Sequence, residues 1–387
     1  MKILVITSSF PRHDRDLAGL FVKEWAEALA ALDNELHILC WRGPGAEDYQ
    51  PAPGVDVHFV SYGPPSAEQL FFGAGAPENL SSQPLSALMA IPAFAAMVGA
   101  ALRALRDDEF DAVAGHWLVP GGLIARLVGY LTDTPSYVVG HSGGVHLLSR
   151  LPRSVARPLA RFLCAGPTTI PTTPLAEKLA KLTDGTTAEV EIAPMGFSPP
   201  PPALPRTEAT HLRLGFLGRL VPIKNLPVLF EALELLAHKT PNLTLEIVGH
   251  GPCRPEWERL APSNVTFSGP LYGLKKWRFL HRCDALVLPS RPRPDGRHEG
   301  LPVSVLEASA AGAIPLVSGV PGIDPWLADP THQIVDGGPD AWRNALLWLS
   351  NLAPDQLTDL RRKNQTQISQ LAWPNYAPWW HSWLRTH

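Results

Sequence analysis

The chain has 387 residues, 45% of them hydrophobic and 18% charged, with a formal net charge of -3 at pH 7. That length is too great for one ordinary core and fits two domains, and the near-neutral balance argues against a nucleic-acid partner, which would leave a strong basic excess. Cys40, Cys164, Cys253 and Cys283 form no CxxC pair or Cys/His ligand cluster, so they read as reduced, mostly buried thiols of a cytoplasmic protein.

The amino terminus MKILVIT lacks the features of a signal peptide and reads as a strand over 2–7. A helix over 20–32 follows, then strands over 36–40 and 55–61, a helix over 86–106, and strands over 110–115 and 136–140. The apolar run 86–102 falls short of a comfortable membrane span and carries Pro92 and Gly99. It reads as a buried or half-buried helix, which leaves only peripheral contact with a membrane, at its inner face. Consecutive prolines cannot join a helix or a central strand, so 197–211, FSPPPPALPRTEATH, reads as a linker between a domain at 1–196 and another at 212–372. The alternation then restarts: a strand over 212–218, a helix over 226–239, strands over 243–249, 265–269 and 284–290, a helix over 303–311, and a strand over 314–318.

Nearly continuous apolar strands alternating with helices predict an α/β fold with two doubly wound, Rossmann-like domains facing each other across a cleft. Ligands of such sheets bind beyond the carboxyl ends of strands. The loops there are the chemically unusual ones: SSFPRHDRDLAG after the first strand, HWLVPGG, HSGG, GRLVPIKN and RPRPDGRHEGLP.

GRLVPIKN places Gly218, Arg219 and Lys224 between a strand and a helix. Two cations beside a helix amino terminus suit a diphosphate, although solvated surface cations would look the same. In HEGLPVSVLEASAAG, residues 298–312, Glu299 and Glu307 are about two helical turns apart and would lie on nearly one face. Gly300 admits a ligand close to the backbone, Pro302 suits a first helical turn, and the amides after it can receive an anion. The two glutamates would accept hydrogen bonds from sugar or ribose hydroxyls. The alternative for Glu307 is a carboxylate paired with a basic neighbour, since an acid amid Val305, Leu306 and Ala308 is costly unpaired. No acidic pair reads as a metal clamp, RDDEFD at 106–111 being a solvated helix end, so no metal and no cofactor are expected. Neither a Walker loop nor a GxGxxG after the first strand is present.

GRLVPIKN, LTLEIVGHGPCRPEWERLA, VTFSGPLYG, CDALVLPS and EGLPVSVLEASAAGAIPLVSG together resemble the carboxyl-terminal half of family 4 glycosyltransferases, retaining, nucleotide-sugar-dependent enzymes of the GT-B fold. ILVITSSFPRHDRDLAGLFVKEWAEALA and AGHWLVPGGLIARL resemble the family's amino-terminal half more weakly. The resemblance implies that 1–196 binds the acceptor, that 212–372 binds the nucleotide sugar, and that 373–387 is a helix packing back on the first domain. It also implies residue roles. Arg219 and Lys224 would hold the diphosphate, Glu307 the ribose, and Glu299 the donor sugar with the backbone of Gly300, Leu301, Pro302 and Val303. Gly19, Gly218, Gly249, Gly251 and Leu271 would complete the donor pocket, a UDP-sugar being the default donor. His116 would lie near the transferring sugar, opposite Arg219 and Lys224 once the domains close, with Arg219, Lys224 and Glu299 in the catalytic set. Arg12, His13, His141 and Ser142 would touch the acceptor, a glycan, a lipid-linked sugar or a small metabolite.

The pattern departs from the family's where Gly19 stands alone in the first loop, where Asn225 follows Lys224, and where Gly143 and Gly144 follow Ser142. Arg15 belongs with the first-loop acceptor candidates, and Arg291, Arg293 and Arg297 form a run that is either a solvated loop or an anion contact. The basic amphipathic stretch 150–163 and the tail WPNYAPWWHSWL read as a surface helix and as packing, ahead of membrane contacts. Competing readings are a nucleotide-sugar epimerase or hydrolase on the same fold, and a catalytically silent sugar-nucleotide-binding scaffold.

Overall fold

The computed structural model describes every residue except 14–15, 72–78, 80–83, 186–189, 202–211, 238–242, 294–297, 330–331, 336 and 387. Arg15, Arg297 and most of the proline-rich segment therefore lie outside the described residues. The chain divides into two compact units, Met1–Gly196 with Trp373–His387, and Phe197–Ala372.

The first unit holds strands β1 (Lys2–Thr7), β2 (Glu35–Trp41), β3 (Tyr49–Ala52), β4 (Val55–Val60), β5 (Ala112–His116), β6 (Ser136–Val139), β7 (Thr168–Ile170) and β8 (Val190–Ile192). They form one sheet in the order β3-β4-β2-β1-β5-β6-β7-β8. All neighbours are parallel except β3, which runs antiparallel to β4 at the edge. β1 is wholly apolar from Ile3 to Ile6, and these residues are fully buried because helices cover both faces of the sheet. Those helices are α1 (Leu20–Ala30), α2 (Ala90–Asp107), α3 (Leu123–Thr132), α4 (Ser142–Leu148), α5 (Arg153–Leu163) and α6 (Thr173–Thr183). The reversal of strand order between β1 and β5 puts a crevice at the carboxyl ends of those two strands.

The apolar run at 86–102 is a helix buried along one stripe alone, Ala93, Met97 and Ala101, with Leu88 and Ile91 fully outward. Its length and composition would let it cross a membrane. Here the spacing of four residues sets a narrow seam against the sheet, where Trp41 Nε1 donates to Ala93 O at 2.8 Å.

The second unit holds β9 (Arg213–Leu217), β10 (Thr244–Val248), β11 (Val265–Gly269), β12 (Ala285–Leu288) and β13 (Ile314–Val317). All are parallel, in the order β11-β10-β9-β12-β13. Around them lie α7 (Pro227–Leu236), α8 (Arg254–Leu260), α9 (Gly273–Arg282), α10 (Val303–Ala310), α11 (Pro339–Ser350) and α12 (Pro354–Ile368). Asp284, just before β12, accepts from Arg213 Nε at 3.3 Å and from Arg361 at 3.0 Å, tying α12 to the sheet's amino-terminal edge. Phe197 is buried and pairs with Ala372, so the proline-rich segment is packed at its start.

The last helix, α13 (Trp373–Thr386), belongs to the first unit. Trp380 meets Trp25 of α1 edge-on at 5.9 Å, Tyr137 Oη donates to Leu384 O at 2.9 Å, and Asn34 Nδ2 lies 3.0 Å from His381 Nδ1. Its tryptophans are thus interior packing. No disulfide links the four cysteines, and burial pushes the Cys40 thiol up to about 12.

Arg126 of α3, 6% exposed, fastens α3 to β6 and to the start of β7. Its Nε donates to Leu163 O at 3.0 Å and one terminal nitrogen to Pro167 O at 2.7 Å, while the other reaches Ser136 O and Ser136 Oγ. Replacing it strands buried carbonyls. Arg126→Met is expected to lower stability by about 3 kcal/mol in urea unfolding, and Arg126→Lys to recover little of it, because an ammonium lacks the planar fork. A loss below about 1 kcal/mol in either variant would contradict this account.

Candidate functional site

In the second unit the loop after β9 and the loop after β10 are locked backbone to backbone. Gly218 N donates to Val248 O at 3.1 Å, Leu220 N to His250 O at 2.8 Å, and Cys253 N to Leu220 O at 3.1 Å. Gly249 has φ +143, and a Cβ there would stand 1.9 Å from Gly218 O. At Gly251 it would stand 2.2 Å from Leu220 O, so neither position tolerates a side chain without parting the loops. A short turn, Pro222–Lys224, and Asn225 in the left-handed region at φ +48 deliver Lys224 and then start α7. Asparagine accepts that conformation better than most residues.

Lys224 Nζ lies 3.1 Å from Glu299 Oε1, with 11% and 17% of the two side chains exposed. Lys276 Nζ of α9 lies 2.5 Å from Glu307 Oε1, with 12% and 7% exposed. The single helical face expected for Glu299 and Glu307 is not what forms. Pro302 (φ -71, ψ 118) caps α10, whose first residue is Val303, so Glu299 and Gly300 belong to an extended loop and Glu307 alone sits in the helix. The proline stops the helix from extending backwards, and it stands one residue before the first turn. Glu307 has the basic partner that its apolar setting demands. Leu271 and Leu301 pack against the core, and Arg219 is exposed at the loop surface.

Lys276 was not among the residues expected at the site. The available signal was the cost of burying Glu307, which calls for a cation, but periodicity cannot say which of the lysines and arginines around 275–282 supplies it.

In the first unit the loop after β1 folds back so tightly that a Cβ on Gly19 (φ +68) would stand 2.1 Å from Ser9 O. Gly19 then caps α1, which presents Phe21 and Trp25. His116 ends β5 and His141 follows β6. Their rings stack at 5.5 Å and 19°, with His116 Nδ1 3.3 Å from His141 Nε2. Phe21 meets His141 edge-on at 5.2 Å, Trp25 meets His116 at 4.7 Å, and Trp117 closes on His141 at 4.7 Å. His116 is fully buried and its Nε2 has no hydrogen-bond partner among the described residues. Burial takes His116 well below the ordinary imidazole range, the neighbouring His141 adding to the effect, and burial alone takes His141 down to about 3. Both rings are neutral at pH 7, one donating to the other.

Ser142 opens α4 beside His141. Arg12 is committed locally, with Nε 2.5 Å from Asp16 Oδ2 and a terminal nitrogen 3.3 Å from Pro44 O. His13 is exposed, and its carbonyl accepts from Asp16 N at 2.9 Å. Of the expected residues, then, the structure joins Lys224 to Glu299, Gly218 to Gly249, and His116 to His141. Glu307 is joined to Lys276 and Arg12 to Asp16.

Two α/β units, each a sheet parallel but for the edge strand β3 and carrying its unusual residues on loops at the strands' carboxyl ends, define the two-domain GT-B class of fold. The whole chain superposes on sucrose-phosphate synthase from Thermosynechococcus elongatus with a TM-score of 0.76 at 16% identity, covering 100% of this chain and 98% of that one. Residues 18–196 match the family model for a glycosyl transferase 4-like domain, and residues 211–351 match that for glycosyl transferases group 1. The chain belongs to this glycosyltransferase family. It is 30% identical over 201 residues to an amylovoran biosynthesis glycosyltransferase of Erwinia amylovora, covering 47% of this chain and 48% of that protein. It is 33% identical over 172 residues to a GDP-mannose-dependent alpha-(1-6)-phosphatidylinositol monomannoside mannosyltransferase of Mycolicibacterium smegmatis, covering 40% and 44%. The matched region spans less than half the length of each of these two relatives.

The histidine pair makes stability pH-dependent. A depressed folded-state value means the neutral ring is the native one, so the contribution is complete above the ordinary value of 6.5 and is lost as pH falls from there toward 3. Wild type is expected to lose roughly 2 kcal/mol through His141 by pH 5. In a thermal-unfolding series from pH 7.5 to 4.5, His141→Asn should give a flatter profile, and an unchanged slope would show that the ring does not titrate on unfolding.

Proposed function

We propose that the protein transfers a sugar from a nucleoside diphosphate sugar to an acceptor hydroxyl, without a metal and with retention of anomeric configuration. The observation that carries this reading is the pair of half-buried charge pairs, Lys224–Glu299 and Lys276–Glu307, in the unit that also carries Arg219 and the locked glycine loops. When the anomeric carbon–oxygen bond breaks, its electron pair goes to the departing diphosphate. Preorganised cations are the largest available stabilisation for that charge, and Lys224 and Arg219 supply them beside α7. Glu299, released by Lys224 when phosphate oxygens take its place, is then positioned to accept from a sugar hydroxyl. Glu307 accepts from the ribose, its charge balanced by Lys276. The acceptor oxygen bonds the anomeric carbon, and its proton leaves with the diphosphate. The neutral His116–His141 pair serves the sugar end as a hydrogen-bonding group that carries no charge of its own.

Retention rests on the family resemblance, and independence from metal on the sequence, in which no acidic pair reads as a metal clamp. Uridine is the default base, and the name of the Mycolicibacterium smegmatis relative makes guanosine the second candidate. The acceptor is a glycan, a lipid-linked sugar or a small metabolite. Contact with the inner face of a membrane is part of the same reading, supported by the outward Leu88, in the turn Pro84–Met89 before α2, and Ile91 of α2.

Thermal unfolding with UDP, GDP and their hexose conjugates, with and without EDTA, tests this on wild type, Arg219→Ala and Glu307→Ala. One nucleotide at about 100 times its dissociation constant should stabilise wild type by roughly 2.7 kcal/mol, and EDTA should not change that. Both variants should lose most of the ligand-induced shift, measured against their own unliganded midpoints. No shift in wild type, or a full shift in Arg219→Ala, would sink the donor-site assignment.

A further inference from the structure

Trp117 has a backbone conformation that its side chain disfavours. Five non-glycine residues among those described have positive φ, and four of them, Asp33, Asp133, Asp184 and Asn225, are of the short polar kind that tolerates the left-handed region. The fifth is Trp117, at φ +63. A bulky residue holds such a conformation only where its surroundings over-determine it, and strain of this kind collects at functional sites. Trp117 is half-buried and directly follows His116 at the end of β5.

We infer that Trp117 is a positioning residue for the histidine pair: its left-handed backbone turns the indole onto His141, and the indole holds that ring in register with His116. The inference rests on the glycosyl-transfer reading above, in which the pair serves the sugar end, and adds to the pair a residue not among those expected there. Three observations carry it.

The first is direction. Successive side chains along a strand point to opposite faces, so an extended residue after His116 would send its side chain away from the His116 ring. The left-handed turn cancels that alternation. Trp117 meets His141 at 4.7 Å and 53°, the same ring on which His116 stacks at 5.5 Å and 19°. Phe21 of α1 completes the enclosure, 5.7 Å from Trp117 and 5.2 Å from His141. The product of the strain is two consecutive side chains on one histidine.

The second is closeness. A Cβ on Gly144, three residues after His141, would stand 2.8 Å from Leu118 Cβ and 3.0 Å from Leu118 N. The glycine thus lets the turn Trp117–Gly122 lie directly against the loop that carries His141. A Cβ on Gly121 would stand 2.2 Å from His116 O, so the same turn folds back on its own strand. Leu118 is fully buried, and these contacts fix the backbone on both sides of Trp117.

The third is the need for positioning. Each neutral imidazole carries one N–H and one bare nitrogen. His116 Nδ1 and His141 Nε2, 3.3 Å apart, form a hydrogen bond only when one of them carries the hydrogen and the other is bare. Both rings must then carry their hydrogen at the same position, both on Nδ1 or both on Nε2. His116 Nε2 has no partner among the described residues, so the bond to His141 alone ties the tautomer of one ring to that of the other. That bond weakens steeply if the His141 ring turns. Trp25 holds His116 at 4.7 Å and 77°, and Trp117 does the same for His141.

The test uses three substitutions in the full chain. Trp117→Ala and Trp117→Gly both remove the indole, but only glycine relieves the left-handed backbone, and Trp117→Phe keeps a ring. Proton–nitrogen correlation NMR of the histidine rings at neutral pH reads which nitrogen carries the hydrogen. Thermal unfolding reads the strain, and release of nucleoside diphosphate from UDP- and GDP-hexoses reads kcat and KM. In wild type both rings should show one N–H and one bare nitrogen, at matching positions. Trp117→Gly should melt above Trp117→Ala, yet in both the His141 nitrogens should move toward averaged shifts, and kcat should fall about tenfold or more with the donor KM unchanged. Trp117→Phe should restore most of the tautomer order and of kcat.

Fixed tautomers in both indole-free variants would overturn the inference. So would a kcat that recovers in Trp117→Gly together with its stability, which is the behaviour of a packing residue, or a Trp117→Gly midpoint at or below that of Trp117→Ala. Thermal shifts by UDP and GDP separate the two readings. If a nucleotide stabilises wild type and the variants while tautomers and kcat stay as in wild type, the positioning inference alone has failed. If neither nucleotide stabilises wild type, the donor reading has failed, and the ring nitrogens still decide whether Trp117 orders the pair.

Discussion

Parallel pairing of β1 with β2 and β5, and of β9 with β10 and β12, places the carboxyl ends of every strand but the edge strand β3 on one rim of its sheet. A parallel connection must cross back over the sheet, generally by a helix, so helices begin at the rim where strands end. Backbone amides of helix starts, tight glycine turns and the side chains of the intervening loops are thereby brought together without any sequence proximity. Gly218 and Gly249 are 31 residues apart by number and in backbone contact. His116 and His141 are brought together the same way, at the ends of the adjacent strands β5 and β6.

On that rim the electrostatics follow from burial. A half-buried carboxylate must be paired, and Lys224 and Lys276 pair with Glu299 and Glu307. The pairs hold four long side chains in place. The histidines solve the opposite problem. Enclosed by Phe21, Trp25 and Trp117, they cannot both carry charge, and they stay neutral by sharing one hydrogen bond. The unit of β9–β13 is thus built on compensated charge and the other on suppressed charge.

Short apolar runs such as KILVIT and DALVLPS, rich in Val, Ile and Leu and bounded by turn residues, read as buried strands, length and flanks deciding against a helix. β3, β7 and β8 went unread because they are three or four residues long and their pairing with neighbours, rather than their own composition, makes them strands. The spacing of Glu299 and Glu307 suggested one helix face, whereas Pro302 divides them into loop and helix. The local rule about proline was available and was outweighed by the periodicity.

What the sequence determined by itself was the α/β class and which polar residues, Arg219, Lys224, Glu299, Glu307 and His116 among them, stand on or beside loops after the strands, since these depend on local pattern. What only the tertiary structure decided was partnership: Lys276 for Glu307, His141 for His116, Arg126 for the carbonyls of three segments, and α13 for α1 across the whole length of the chain. Partnership depends on which surfaces meet when apolar faces are buried together, and chemically equivalent residues such as Lys275 and Lys276 are separated by the direction in which a helix turns them. That direction is fixed by packing against Trp277 and Phe279 in the core.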